Sequence, residues 1–172
     1  MRSGRGSLER LPPWLNPTAG KAHRAPRLPT LHPAPMPVVT VTRRLNFNAA
    51  HRLHNPRLSE SENRELFGLC NNPNWHGHNY RLEVSVKGEV DERSGYVLDL
   101  KRLRDIVEAR LVDQMDHKNL NVDVEFMRGI NPTAENIAVV CWRVLEPAVK
   151  PARLTRIRLW ETDNNYVEYE GE

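Results

Sequence analysis

Residues 79–90, NYRLEVSVKGEV, alternate Leu82, Val84 and Val86 with charged or small neighbours, the two-residue period of a strand that buries one face. The lead-in, residues 70–80 CNNPNWHGHNY, sets His76 and His78 two apart where that strand begins. Residues i and i+2 of a strand face the same way, so two imidazoles aim at one point from a rigid element. Upstream, residues 38–47, VVTVTRRLNF, are rich in β-branched side chains and partly alternate, which predicts a first strand closed by His51 in NFNAAH. About thirty residues separate the two strands, long for a hairpin loop, and their His and Cys content predicts a functional connection.

Beyond Asp99, residues 100–115, LKRLRDIVEARLVDQM, set Leu100, Leu103, Val107, Leu111 and Met115 on one stripe at steps of three and four, an amphipathic helix. A second helix follows Asn131 and Pro132: Thr133 is its N-cap, Ile137, Val140, Cys141 and Val144 form its apolar face, and Pro147 closes it. The chain then returns to strands, with Leu154, Ile157 and Leu159 mixed with Arg156 and Arg158 before Glu161, and a last run through Val167. The order ββααββ predicts an α+β layer, an antiparallel sheet with both helices on one face. Four strands leave two open edges, which have to be covered or paired, so self-association is expected.

The 172 residues suit one globular domain. No run approaches the roughly 18 apolar residues that cross a bilayer, so no membrane partner is expected. The formal charge of +3 is unevenly placed. Residues 1–37 hold six basic side chains against Glu9 alone, and eight of the thirteen prolines, without helical or strand period. This stretch is expected to be a disordered extension, and residues 38–172 the folded domain. Met36, just before the first strand, makes the extension either dispensable or a mis-assigned start. The remainder carries 19 basic against 21 acidic residues with no continuous basic stripe, so no nucleic-acid partner is expected. Cys70 and Cys141 are too far apart for a disulfide framework, and no apolar signal segment opens the sequence, so a reducing cytoplasm is the expected setting.

His76 and His78 need a third partner to hold a metal; His51 is the best candidate and His54 the alternative. Three neutral imidazoles without a thiolate form the pattern of a zinc site that keeps one position open. Cys70 lies in a turn rich in Gly, Asn and Pro, unlike Cys141, which packs within AVVCW. Near a divalent cation its thiolate is favoured, and it can act as base or nucleophile. Asp116 can fix the tautomer of His117 as an acid/base pair, although adjacent residues rarely face each other, and on the residues alone helix capping by His117 with a solvated Asp116 is the first reading. Glu161 can accept two hydrogen bonds from an amidine-like N–H pair such as a guanine or pterin ring presents, and alone reads equally as a surface glutamate. Thr133 and Glu135 read equally as a cap and a dipole partner.

Five segments, AAHRLHNP (49–56), FGLCNNPNWHGHNY (67–80), MDHKNL (115–120), TAENIA (133–138) and WETDNN (160–165), stand together in an order that resembles the 6-pyruvoyltetrahydropterin synthase family over residues 38–172. The resemblance implies the tunnelling fold (T-fold), whose sheets join around a three-fold axis into an oligomeric barrel, two rings stacking as a homohexamer, a dimer of trimers. It implies a zinc-dependent reaction on 7,8-dihydroneopterin triphosphate that eliminates triphosphate. His51, His76 and His78 then match zinc ligands, Cys70 the proton-abstracting thiol, and Asp116 with His117 a proton relay supplied by a neighbouring subunit. Glu161 matches the pterin anchor, with Thr133 and Glu135 in the same pocket. Trp75 stands where glycine is expected and Ala134 where a second threonine is common. The related 6-carboxytetrahydropterin synthases, which release acetaldehyde on the way to deazapurines such as queuosine, are the alternative. From a different class, a non-catalytic pterin-binding module remains open.

Overall fold

The computed structural model describes residues 36–172; residues 1–35, and with them the expectation of a disordered extension, lie outside the described residues. Strand β1 (Val38–His51) pairs antiparallel with β2 (His76–Glu89) along its whole length, from Val38 opposite Glu89 to His51 opposite His76. A two-residue strand β3 (Lys118–Asn119) runs parallel to Ala49–Ala50 on the outer side of β1. β4 (Arg153–Trp160) pairs antiparallel with β2, and β5 (Tyr166–Tyr169) with β4, giving the order β3-β1-β2-β4-β5. The four expected strands are present, and β3 adds a fifth too short to show any period.

The register puts Leu45 opposite Leu82 and Phe47 opposite Tyr80, and the Phe47 and Tyr80 rings stack 4.9 Å apart. These residues, with Ile157 and Leu159, are buried in one continuous apolar cluster with the helices. Each fully buried large apolar side chain contributes about 1.5–3 kcal/mol. The opposite face is polar: Thr42 and Ser85 share a hydrogen bond, Arg44 grips Glu83 at 2.7 Å, and Arg158 pairs with Glu168.

Helix α1 (Glu60–Phe67) lies inside the long β1–β2 connection, started by a capping box in which Ser59 and Glu62 satisfy each other's backbone N–H. The expected first core helix runs as α2 (Leu100–Val107), a π turn over Glu108–Val112, and a short α3 (Asp113–Met115). Leu103, Val107, Leu111 and Met115 are fully buried, whereas Leu100 is 43% exposed and does not join the stripe. Residues four apart overshoot a full α-helical turn by about 40°. The π turn absorbs the excess residue and keeps the row on the core. Helix α4 (Ala134–Leu145) begins at the Thr133 cap and buries Ile137, Val140 and Cys141, and also Trp142 and Leu145. No helix among the described residues is long and apolar enough to cross a membrane.

Candidate active site

The β1–β2 register brings His51 opposite His76, and the two-residue period brings His78 to the same face. One nitrogen of each ring lies within 4.8 Å of the other two, and the Nε2 atoms of His51 and His76 are 3.1 Å apart. Nitrogens bound tetrahedrally at about 2.0–2.1 Å from one ion stand about 3.4 Å apart, so the spacing suits a divalent metal. His51 is fully buried, and its Nδ1 donates to the Pro132 carbonyl at 2.8 Å, because a carbonyl only accepts. That bond leaves the Nε2 lone pair facing the cluster, the arrangement by which an outer partner orients a metal-binding imidazole. His78 Nε2 is buried with no hydrogen-bond partner among the described residues, a polar atom that a metal would satisfy.

The electrostatics favour the neutral forms of His51 and His76. Burial pulls the His51 pKa down to about 4; His76 and His78 add to this, against the opposing pull of the Pro132 bond. His76 is also lowered, first by burial and then by His78, with the Glu161 charge opposing. His54, the alternative third ligand, stands outside the cluster, its Nδ1 bonded to the Asn71 side chain.

Cys70 sits in the 3-10 turn Gly68–Asn71 that follows α1, and its carbonyl accepts from Leu53 N at 2.8 Å. Next to it, Asn71 is almost completely buried and ties this turn to the end of β1. Its amide nitrogen donates to the Leu53 carbonyl (2.7 Å), while its own carbonyl and side-chain oxygen accept from Arg52. Burial, and then the charges of Glu161 and Cys70, raise the pKa of the Tyr80 hydroxyl above its ordinary value.

Asp116 and His117 do face each other: Asp116 Oδ2 and His117 Nδ1 are 2.8 Å apart. His117 has a left-handed backbone, φ 57°, which swings its ring back toward the preceding carboxylate. Both residues are stitched to the edge of β1, where Asn48 N donates to Asp116 Oδ1 at 2.7 Å and His117 N donates to Asn48 O at 2.6 Å. The Asn48 bond is the leading cause of a lowered Asp116 pKa. The His117 ring is 83% exposed on this outer edge, apart from the three imidazoles in the β1–β2 seam.

Thr133, Glu135 and Glu161 share a cavity of about 480 Å³ whose apolar wall includes Leu53, Phe67 and Tyr166. One Glu161 oxygen also lies 3.6 Å from His51 Nε2 and 3.9 Å from His78 Nε2, so this carboxylate joins the cavity to the imidazole cluster. The sequence pattern did not single out Pro132 or Asn71. A backbone acceptor leaves no sequence signal, and Asn71 stands in a polar turn where asparagine is ordinary.

Residues 40–172 match the sequence profile of the family described as 6-pyruvoyl tetrahydropterin synthase. The chain is 45% identical over 132 residues to 6-pyruvoyl tetrahydrobiopterin synthase of Homo sapiens, covering 77% of this chain and 91% of the human one. It is 28% identical over 149 residues to 6-carboxy-5,6,7,8-tetrahydropterin synthase of Rickettsia conorii, covering 76% and 99%. Among solved structures it is similar to the Caenorhabditis elegans 6-pyruvoyl tetrahydropterin synthase, with TM-score 0.76 and 43% identity over 81% of this chain and 99% of the other.

Proposed function

Since the chain belongs to the 6-pyruvoyl tetrahydropterin synthase family, we propose that it is a zinc-dependent carbon–oxygen lyase that expels triphosphate from 7,8-dihydroneopterin triphosphate. Its subunit fold is the α+β tunnelling fold of that family. The observation that carries the reading is the convergence of His51, His76 and His78 beside a cavity walled by Glu161. The three-imidazole donor set with the unpartnered His78 Nε2 suits zinc better than magnesium or calcium, which prefer oxygen.

Bound there, zinc would supply Lewis-acid polarisation of the substrate's side-chain oxygens, making the adjacent C–H protons acidic. Glu161 accepts two N–H bonds from the pterin ring and fixes its orientation, with Thr133 and Glu135 beside it. Cys70 takes a carbon-bound proton as the C–O bond to triphosphate breaks. Asp116 holds the His117 proton on Nδ1 and leaves Nε2 to move protons between side-chain carbons during tautomerisation. The His117 ring points outward from the β1 edge, which supports its service to a neighbouring subunit's site. The outer edge of β1 is paired only at Ala49–Ala50 among the described residues, and this open edge supports barrel closure with other copies into a homohexamer. Two free cysteines suit a cytoplasmic setting.

The 6-carboxytetrahydropterin synthase reading, with acetaldehyde release and a role in queuosine biosynthesis, is favoured less by the 28% identity to the Rickettsia enzyme than the pyruvoyl reading is by the 45% identity to the human one. A passive pterin binder would need only Glu161 and its pocket. Incubation with 7,8-dihydroneopterin triphosphate separates the three: triphosphate without acetaldehyde is expected. Acetaldehyde would assign the carboxy reaction, and stoichiometric binding without triphosphate release the passive one.

A further inference from the structure

A second cavity of about 480 Å³ adjoins the first, with Phe67 in both walls and the consecutive residues Leu53 and His54 lining one each. Its polar lining comprises His54, Asn55, Arg57, Asn121 and Asn131, and no lining residue is acidic. In a folded body with more acids than bases, an acid-free concavity holding a cation marks an anion site.

The hydrogen bonds fix which of these groups are left as donors. Asn71 Nδ2 donates to the Leu53 carbonyl at 2.7 Å, which settles the orientation of that amide. The same nitrogen stands 3.2 Å from His54 Nδ1, so Nδ1 accepts and the N–H is left on Nε2. Asn131 uses its oxygen on the His54 backbone N–H at 3.0 Å and keeps its NH2 group as a donor. Among the described residues no carboxylate lies within salt-bridge distance of Arg57.

We propose that this cavity is a polyphosphate subsite, in which the Arg57 guanidinium and the His54 Nε2–H take the triphosphate of the substrate and hold it as it leaves. The assignment rests on the lyase reading for the substrate's identity, while the pocket's preference for a polyanion rests on its own donors. As the C–O bond breaks, the electron pair passes to the bridging oxygen of triphosphate, and the cationic wall stabilises the added charge. A planar guanidinium suits phosphate oxygens in pairs, and a lysine would serve less well.

The test is calorimetric titration of the zinc-loaded full chain with inorganic triphosphate, metal content being measured before and after. Arg57 is exposed, so its replacement spares the core. Arg57→Ala and His54→Gln are each expected to weaken triphosphate binding roughly 10- to 100-fold, with Arg57→Lys intermediate and the affinity for phosphate-free neopterin unchanged in all three. Triphosphate affinity equal to the parent's in Arg57→Ala and His54→Gln, or no triphosphate binding by the parent, overturns the subsite. Parent protein that binds triphosphate through these residues but never turns over the pterin substrate overturns the lyase reading and leaves the anion site standing.

Discussion

His51 Nδ1 donates to the carbonyl of Pro132 at 2.8 Å, and this bond links the three-imidazole cluster to the N-terminus of α4. Pro132 directly precedes the Thr133 cap, so the same short segment orients one imidazole and supplies part of the cavity wall that Glu161 completes. The proposed ligand on β1 and the proposed substrate contacts at the start of α4 are thereby held in register by one backbone atom.

The neutral, buried state of His51 makes metal-free stability depend on pH. Folded His51 has a pKa of about 4 against 6.5 when unfolded, so between those values the unfolded chain binds the extra proton. Stability is present above pH 6.5 and falls as pH drops toward 4, by about 3 kcal/mol at the lower end. Urea denaturation of the metal-free protein and of His51→Gln across this interval checks the effect. The parent should lose more stability than the variant, and parallel curves would exclude His51 as the source.

Replacing Asn71 with Ala removes a buried side chain that bonds Leu53 O, Arg52 and His54, and frees the turn that carries Cys70. A loss of about 2–4 kcal/mol in denaturant unfolding is expected. Faster alkylation of Cys70 under native conditions should accompany it. An unchanged alkylation rate would show that Asn71 does not restrain the thiol.

Trp75 has a left-handed backbone, φ 59°, immediately before His76 of the imidazole cluster. A β-carbon costs about 1–2 kcal/mol in that conformation and glycine avoids most of it. Trp75→Gly should therefore raise the unfolding free energy by about 1 kcal/mol once the lost side-chain contacts are counted, seen as a higher urea midpoint. A lowered midpoint would mean that the indole stabilises the loop more than its backbone strains it.

Cys70→Ala is expected to retain bound zinc, since three imidazoles hold it without the thiol, and to lose turnover with 7,8-dihydroneopterin triphosphate. Metal analysis and triphosphate release measured on the same preparation check both halves. Near-parental turnover removes Cys70 as the base.

The strands were readable because Leu82, Val84 and Val86 sit on a sheet with one apolar face, and that same two-residue period put His76 and His78 together. Helix α1 escaped the apolar-pattern reading because it buries only Asn63 and leaves Leu66 64% exposed, although the Ser59–Glu62 capping box was present in the sequence. Strand β3 and the π turn arise from tertiary pairing and packing, which leave no periodic mark. The facing of Asp116 and His117 depends on one left-handed residue fixed by bonds to Asn48, and adjacency in sequence argues against it. The resemblance of five short segments supplied the pterin chemistry, whereas the Pro132 carbonyl and the Asn71 tether required coordinates.

Zinc stoichiometry with X-ray absorption on the purified full chain tests the centre most directly. One zinc per chain in a shell of three imidazole nitrogens, lost in both His51→Ala and His78→Ala, is the predicted result. Retention of the full complement of zinc by either variant, or a parent protein that binds none under saturating metal, would contradict the convergence on which the proposed chemistry depends.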